Sequence, residues 1–374
     1  MADWKKAGAM MLGLVALSGC GTVSSVAGHT PHYFPVRNLA SHLKTISLSQ
    51  TAVSHRLTGL PYGFRVTAAG TNLLLNIFRF AGPKWQPGFY LVNGGTGAVR
   101  PVVRFPEGFQ SPQAASTQHW LVYELSQTVK SGYRQVMAQN LRTGHAWPIL
   151  TLPQQVYSAG DVRGLTIVGD RAYWLSNLLT SNGIESRVYM YNLVRRHLSL
   201  LIQENPKRQG ILFFGAAGTP QGLWLSADVS HEVNASQTGG ALWFWSYAAG
   251  RVTKRFPVFH APNGLEGAAA DAVVFSANYS AADTSKVNPG PFPTYAANWA
   301  ARRVEQLTSR INPGGAALVD GSSVVIDGVG MQSVLINLSK RTITYLPVPN
   351  AAALGPWLVF ENARSLSWER LPGS

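Results

Sequence analysis

Asp228, His231 and Glu232 crowd one polar segment, and His260 and Glu266 fall in a later segment of the same kind. Imidazole and carboxylate are common ligands of divalent ions and common proton carriers, so these residues could hold a metal or do acid–base work. The pair His231-Glu232 lacks the second histidine that a zinc-binding helix presents one turn later, and the segment has no helical pattern. Asp283, Ser285 and Asn288 ahead of Gly290 offer oxygen ligands at the wrong spacing for a calcium loop. Neither a metal nor a cofactor is therefore expected. Trp85, Tyr133 and Tyr279 stand in segments of loop composition, where an aromatic face could receive a sugar or a peptide. No phosphate-cradling glycine loop, Gly-x-Ser-x-Gly elbow or dinucleotide fingerprint occurs.

A different chemistry sits near the start. Lys5 and Lys6 precede an apolar run from Ala7 to Leu17, which ends in Leu17-Ser18-Gly19-Cys20. The layout is that of an export signal. The run is shorter than the roughly 20 apolar residues a membrane-crossing helix needs. Its last four residues resemble the lipobox of bacterial lipoproteins, and the resemblance implies cleavage before Cys20 and lipid on its sulfur. Cys20 is the only cysteine, so a disulfide or cysteine metal site is ruled out. The expected organisation is a signal over residues 1–19, a lipidated tether over 20–43 and one domain over 44–374. The chain would then be extracytoplasmic, anchored to the cell membrane or the outer membrane.

With Lys+Arg 31 against Asp+Glu 17, the net charge of +14 favours anionic partners: lipid headgroups, wall polymers or acidic proteins. Nucleic acid is not expected for an exported chain. A hydrophobic content of 46% supplies ample core.

The elements that must position these residues repeat. Short strands end at Asn93, Asn140, Asn192, Ser246, Asn298 and Asn337, each followed by a polar turn and preceded by another apolar strand. A seventh apolar strand, Trp357 to Phe360, leads to Leu366-Ser367-Trp368. Four strands per unit at roughly 40 to 50 residues is a propeller signature. The expectation is an all-β, seven-bladed β-propeller, with six blades as the alternative. The last unit lacks an outer strand, and Lys44 to Gln50 is expected to supply it and close the ring. The stretch Asn140-Leu141-Arg142-Thr143-Gly144-His145-Ala146-Trp147 resembles quinoprotein-type repeats, and Asn93-Gly94-Gly95-Thr96-Gly97 resembles half of one.

Successive blade strands alternate in direction, which sorts the connections onto two faces. The turns between third and fourth strands carry Arg142, Arg195, Arg196, Arg251, Arg302, Arg303, Lys340 and Arg341, a basic rim expected to face the membrane. The opposite face is expected to hold long loops at 81–88, 127–133, 177–186, 228–240 and 278–293, and there Trp85, Tyr133, Asp228, His231, Glu232, His260 and Tyr279 are the binding candidates. Together these readings describe a non-catalytic binding or scaffold module for an envelope protein or wall polymer. The alternative is an exported hydrolase or lyase with a central-channel site, with or without a divalent metal.

Overall fold

The computed structural model describes residues 36–39, 42–46, 55–78, 84–127, 134–152, 162–181, 183–204, 211–228, 240–258, 264–276, 294–308, 316–319, 323–329, 332–346, 351–362 and 364–371. These belong to one compact unit, Tyr33–Ser374. They form strands and turns with no α-helix, and the architecture is a β-propeller.

Six sheets follow one another along the chain. The first has nine strands and consists of two meanders, 65–104 and 109–152, joined through a single parallel residue pair, Ala69 with Ser116. Sheets of four antiparallel strands cover 162–204 and 212–258. The sheets at 264–306 and 316–345 each have four strands and a fifth on the outer edge. The last combines Ala351–Leu354, Trp357–Asn362 and Ser365–Arg370 with an early strand, His55–Thr58. First strands of neighbouring sheets lie side by side around the axis. Their spacing is tight: a Cβ on Gly164, in the strand Val162–Val168, would stand 2.1 Å from the carbonyl oxygen of Ala216, in the strand Leu212–Gly218.

The regularity has a local cause. At the end of the third strand of every unit but the last, an Asn or Ser side chain accepts backbone N–H groups of the turn that follows. Asn140 takes those of Arg142 (2.9 Å) and Thr143 (3.0 Å). Asn192 takes those of Val194 and Arg195, Asn298 that of Ala301, Asn337 that of Lys340, and Ser246 that of Ala249. Such side chains satisfy the turn internally and stop the strand. Between sheets, apolar faces of second and third strands interleave, as where Trp224, Phe244 and Phe256 meet Val273 and Phe275. Tryptophan hooks add to this packing. The indole N–H of Trp224 donates to the carbonyl of Ala269 (2.8 Å), that of Trp120 to Asp170 (2.9 Å) and that of Trp357 to the carbonyl of Thr71 (2.9 Å). Each reaches from a second strand to the first turn of the next unit.

Three expectations are corrected. The closing strand is not Lys44 to Gln50 but His55–Thr58, antiparallel to Ser365–Arg370, with His55 stacked on Trp368 at 5.4 Å. Lys44–Thr45 instead lies parallel to Thr342–Ile343, and Val36–Asn38 parallel to Val304–Gln306. The propeller's strands thus begin inside the segment expected to be tether, because the outer edges of two sheets still had unpaired backbone groups to satisfy. Finally, residues 177–180 and 183–186, expected in a loop, are strand: Arg171–Thr180 and Gly183–Asn192 run on as a ladder to the pair Thr180 with Gly183.

Candidate functional site

Turns between first and second and between third and fourth strands gather at one end of the sheets, and the remaining connections at the other. At this second, loop end, a cleft of about 230 Å³ opens where the 65–104 and 109–152 meanders meet the closing sheet. Its polar lining comes from Arg65, Thr67, Asn76, Gln113 and Glu361, over a wall that includes Phe89.

Backbone register builds it. Arg65 opens the inner strand Arg65–Ala69 and pairs with Asn76 on the neighbouring strand. Its guanidinium is exposed, donates to the carbonyl of Pro112 at 3.2 Å and lies 5.4 Å from the Phe78 ring. Asn76 is 6% exposed, and its amide nitrogen donates to the carbonyl of Ser111 at 2.9 Å. That bond fixes the amide orientation, since a carbonyl only accepts, and it leaves the Asn76 oxygen as an acceptor with no donor among the described residues. Thr67 Oγ1 is in the same state. Glu361 arrives on the strand Trp357–Asn362 of the closing sheet. The cleft is therefore lined by a cation, a carboxylate and the amides of Asn76 and Gln113, with both signs of charge.

Beside it lies a buried carboxyl. Glu124, 1% exposed, donates its backbone N–H to the carbonyl of Gln113 (2.9 Å), so it supports the cleft wall from behind. Burial pushes its acid up to about 7, against the partial opposition of the Arg134 guanidinium, 3.8 Å away, and the backbone N–H of Val162. Asn76, Glu124 and Asn177 occupy like places in successive units, each near the loop end of a second strand and directed at the start of the next unit. Asn177 donates to the carbonyl of Phe213 at 3.0 Å and accepts from Ser186. These polar residues interrupt otherwise apolar strands: Leu73-Leu74-Leu75-Asn76 and Leu121-Val122-Tyr123-Glu124. Sequence reasoning passed over that signal, and it passed over Arg65 and Glu361 as well.

The sequence candidates fare differently. Trp85 is a core residue, 2% exposed, edge-on to Tyr90 at 5.1 Å and packed against Leu60 and Phe64, so it presents no face to a ligand. Asp228 ends the strand Gly222–Asp228 and pairs with Leu212 and Gly240. Cys20, Tyr133, His231, Glu232, His260 and Tyr279 lie outside the described residues. Glu266, on Gly264–Ala268, accepts from Ser276 at 3.2 Å. Among the described residues no three of His, Cys, Asp and Glu converge as a metal cluster.

The eight basic residues stand at the turn end. Arg142, Arg195, Arg196, Arg251, Arg302, Lys340 and Arg341 are exposed, while Arg303 is half-buried and paired with Glu305 at 3.0 Å. Arg196 lies over the Trp147 ring at 4.3 Å. A second cleft of about 360 Å³ opens at this end, lined by Asn72, Asn93, Arg100 and Gln118 among others.

No protein-family model matches the sequence, and no curated protein matches it either. Solved structures do match. A prolyl endopeptidase superposes with a TM-score of 0.55 at 11% identity, over 84% of this chain and 47% of that one, so the chain spans about half of that enzyme's length. The β-propeller domain of the Trilobed protease from Pyrococcus furiosus, described as having an open velcro topology, gives 0.55 at 11% identity over 85% and 95% of the two chains. A chain of the mitotic checkpoint complex gives 0.50 at 10% over 88% and 99%. At such identities the likeness shows the propeller fold alone.

Proposed function

We propose that this protein is a seven-bladed propeller outside the cytoplasm, held to a membrane by lipid on Cys20, that binds an envelope protein or wall polymer at its loop end. The count takes the nine-stranded sheet as two blades and the early strand His55–Thr58 as the outer strand of the seventh. The observation that carries the binding reading is the cleft of Arg65, Asn76, Gln113 and Glu361. Its volume of about 230 Å³ is below the roughly 300–1,000 Å³ of sites that enclose a small molecule. A space of that size suits one side chain or one sugar unit projecting from a larger partner. The exposed Arg65 cation, beside Gln113 and Glu361, suits a partner group that accepts hydrogen bonds.

The test places a photo-crosslinking residue at Gln113 in cells that export the protein. The expected result is an adduct with an envelope protein or wall polymer that Arg65→Glu abolishes and that the same probe at Thr143, on the turn end, does not form. An adduct indifferent to Arg65 would refute the loop-end reading. Separately, a radiolabelled fatty acid fed to the cells should mark the exported chain and leave the Cys20→Ala variant unmarked, and an unlabelled parent chain would refute the anchor.

A further inference from the structure

The turns after the third strands share one backbone feature. In three of them the last position is a glycine in the left-handed region: Gly97 (φ 72°), Gly144 (φ 76°) and Gly250 (φ 62°). In the three others the same position, four residues after the Asn, holds arginine: Arg196 (φ 55°), Arg302 (φ 47°) and Arg341 (φ 52°). Among the described residues these arginines are the only non-glycine residues with positive φ. A side chain is unfavourable there, and glycine, which fills the equivalent turns, relieves the strain. Arg196 has a packing reason, its stack on Trp147. Arg302 and Arg341 are exposed and make no ion pair among the described residues. Strain kept at exposed positions points to a use outside the fold.

Their neighbourhood says which use. Lys340 precedes Arg341, and the exposed Lys44 donates its backbone N–H to the Arg341 carbonyl at 3.0 Å. Among the described residues two nearby acids are engaged: Glu305 by Arg303, and Asp271 by Lys254. The chain coming from Cys20 joins this same arc, since Val36 pairs with Val304, next to Arg303. The sixteen peptide steps from Cys20 to Val36 reach at most about 55 Å.

We infer that Arg302, Lys340, Arg341 and Lys44 form a docking surface for anionic phospholipid headgroups, which turns the loop end away from the membrane. The choice of a lipid partner rests on the anchored reading of Cys20; the attraction itself does not. Each cation close to an anionic surface contributes about fivefold in binding, equivalent to ~1 kcal/mol.

The experiment uses the full chain with Cys20→Ser, so that no lipid is attached, and vesicles of phosphatidylglycerol and phosphatidylcholine in equal parts or of phosphatidylcholine alone. The readout is the ratio of the two affinities, in which the apolar contribution of the leader cancels. Replacing both Arg302 and Arg341 by glycine should lower that ratio about 25-fold with an unchanged or higher melting temperature. Lysine at both positions should keep it within about threefold. Salt near 1 M, where the Debye length is ~3 Å, should remove the preference. A ratio unmoved by the glycine pair, or lost equally in the lysine pair, would overturn the docking surface. Fatty-acid labelling at Cys20 bears only on the anchor, so the two readings fail separately.

Discussion

Replacing Glu124 by glutamine should change how stability depends on pH while leaving the fold intact. The folded protein holds this carboxyl at about 7, against 4.5 for the free acid, chiefly because burial disfavours the anion. A raised acid means that the folded state binds the proton more tightly than the unfolded one. Its stabilising contribution is therefore complete below about 4.5 and is lost as pH rises through about 7. At 1.36 kcal/mol per pH unit, the interval corresponds to about 3 kcal/mol lost between those limits. Glutamine keeps the shape but has nothing to ionise, and Arg134, its side chain 34% exposed, can turn to water. Urea unfolding followed by tryptophan fluorescence, from pH 4.5 to 8.5, should give similar stabilities for the two proteins at the acid end. The variant should be ahead by up to about 3 kcal/mol at the alkaline end, and the histidines, common to both, cancel in the difference. A difference that stays constant across the range would refute the claim that burial governs this carboxyl.

Gly164→Ala should cost about 3 kcal/mol or more, because a Cβ meets the Ala216 carbonyl in a left-handed backbone, whereas Gly144→Ala, with open space around it, should cost only about 1 kcal/mol; paired thermal melts compare them. Trp224→Phe should cost about 2 kcal/mol more than Trp174→Phe by chemical unfolding. The first leaves the Ala269 carbonyl unmatched, while the Trp174 indole N–H is buried with no partner among the described residues. Truncation ahead of Gly59 should expose the edge of Ser365–Arg370, lowering the melting temperature and producing dimers or aggregates by size exclusion.

Local chemistry made the repeating part of this protein legible in its sequence. An Asn side chain caps the turn beside it wherever it stands, so Asn93, Asn140, Asn192, Asn298 and Asn337 marked the strand ends and the period of the units, and with them an all-β propeller. The placement of eight cations in the turns after third strands followed from the same alternation. Pairings that close over long separations carried no such mark: His55–Thr58 and the residues around Lys44 read equally well as short strands, and only the geometry of the open edges assigned them to different sheets. Trp85, flanked by Pro83 and Pro87, read as a loop residue, yet the packing of Leu60 and Phe64 buries it. The cleft joins Arg65 and Asn76 to Gln113 of the next meander and Glu361 of the closing sheet, far apart in the chain, so no spacing announced it. In Arg302 and Arg341 the sequence shows only charge. Their strained backbone exists because a turn between two paired strands imposes one conformation at that position, whatever side chain the sequence puts there.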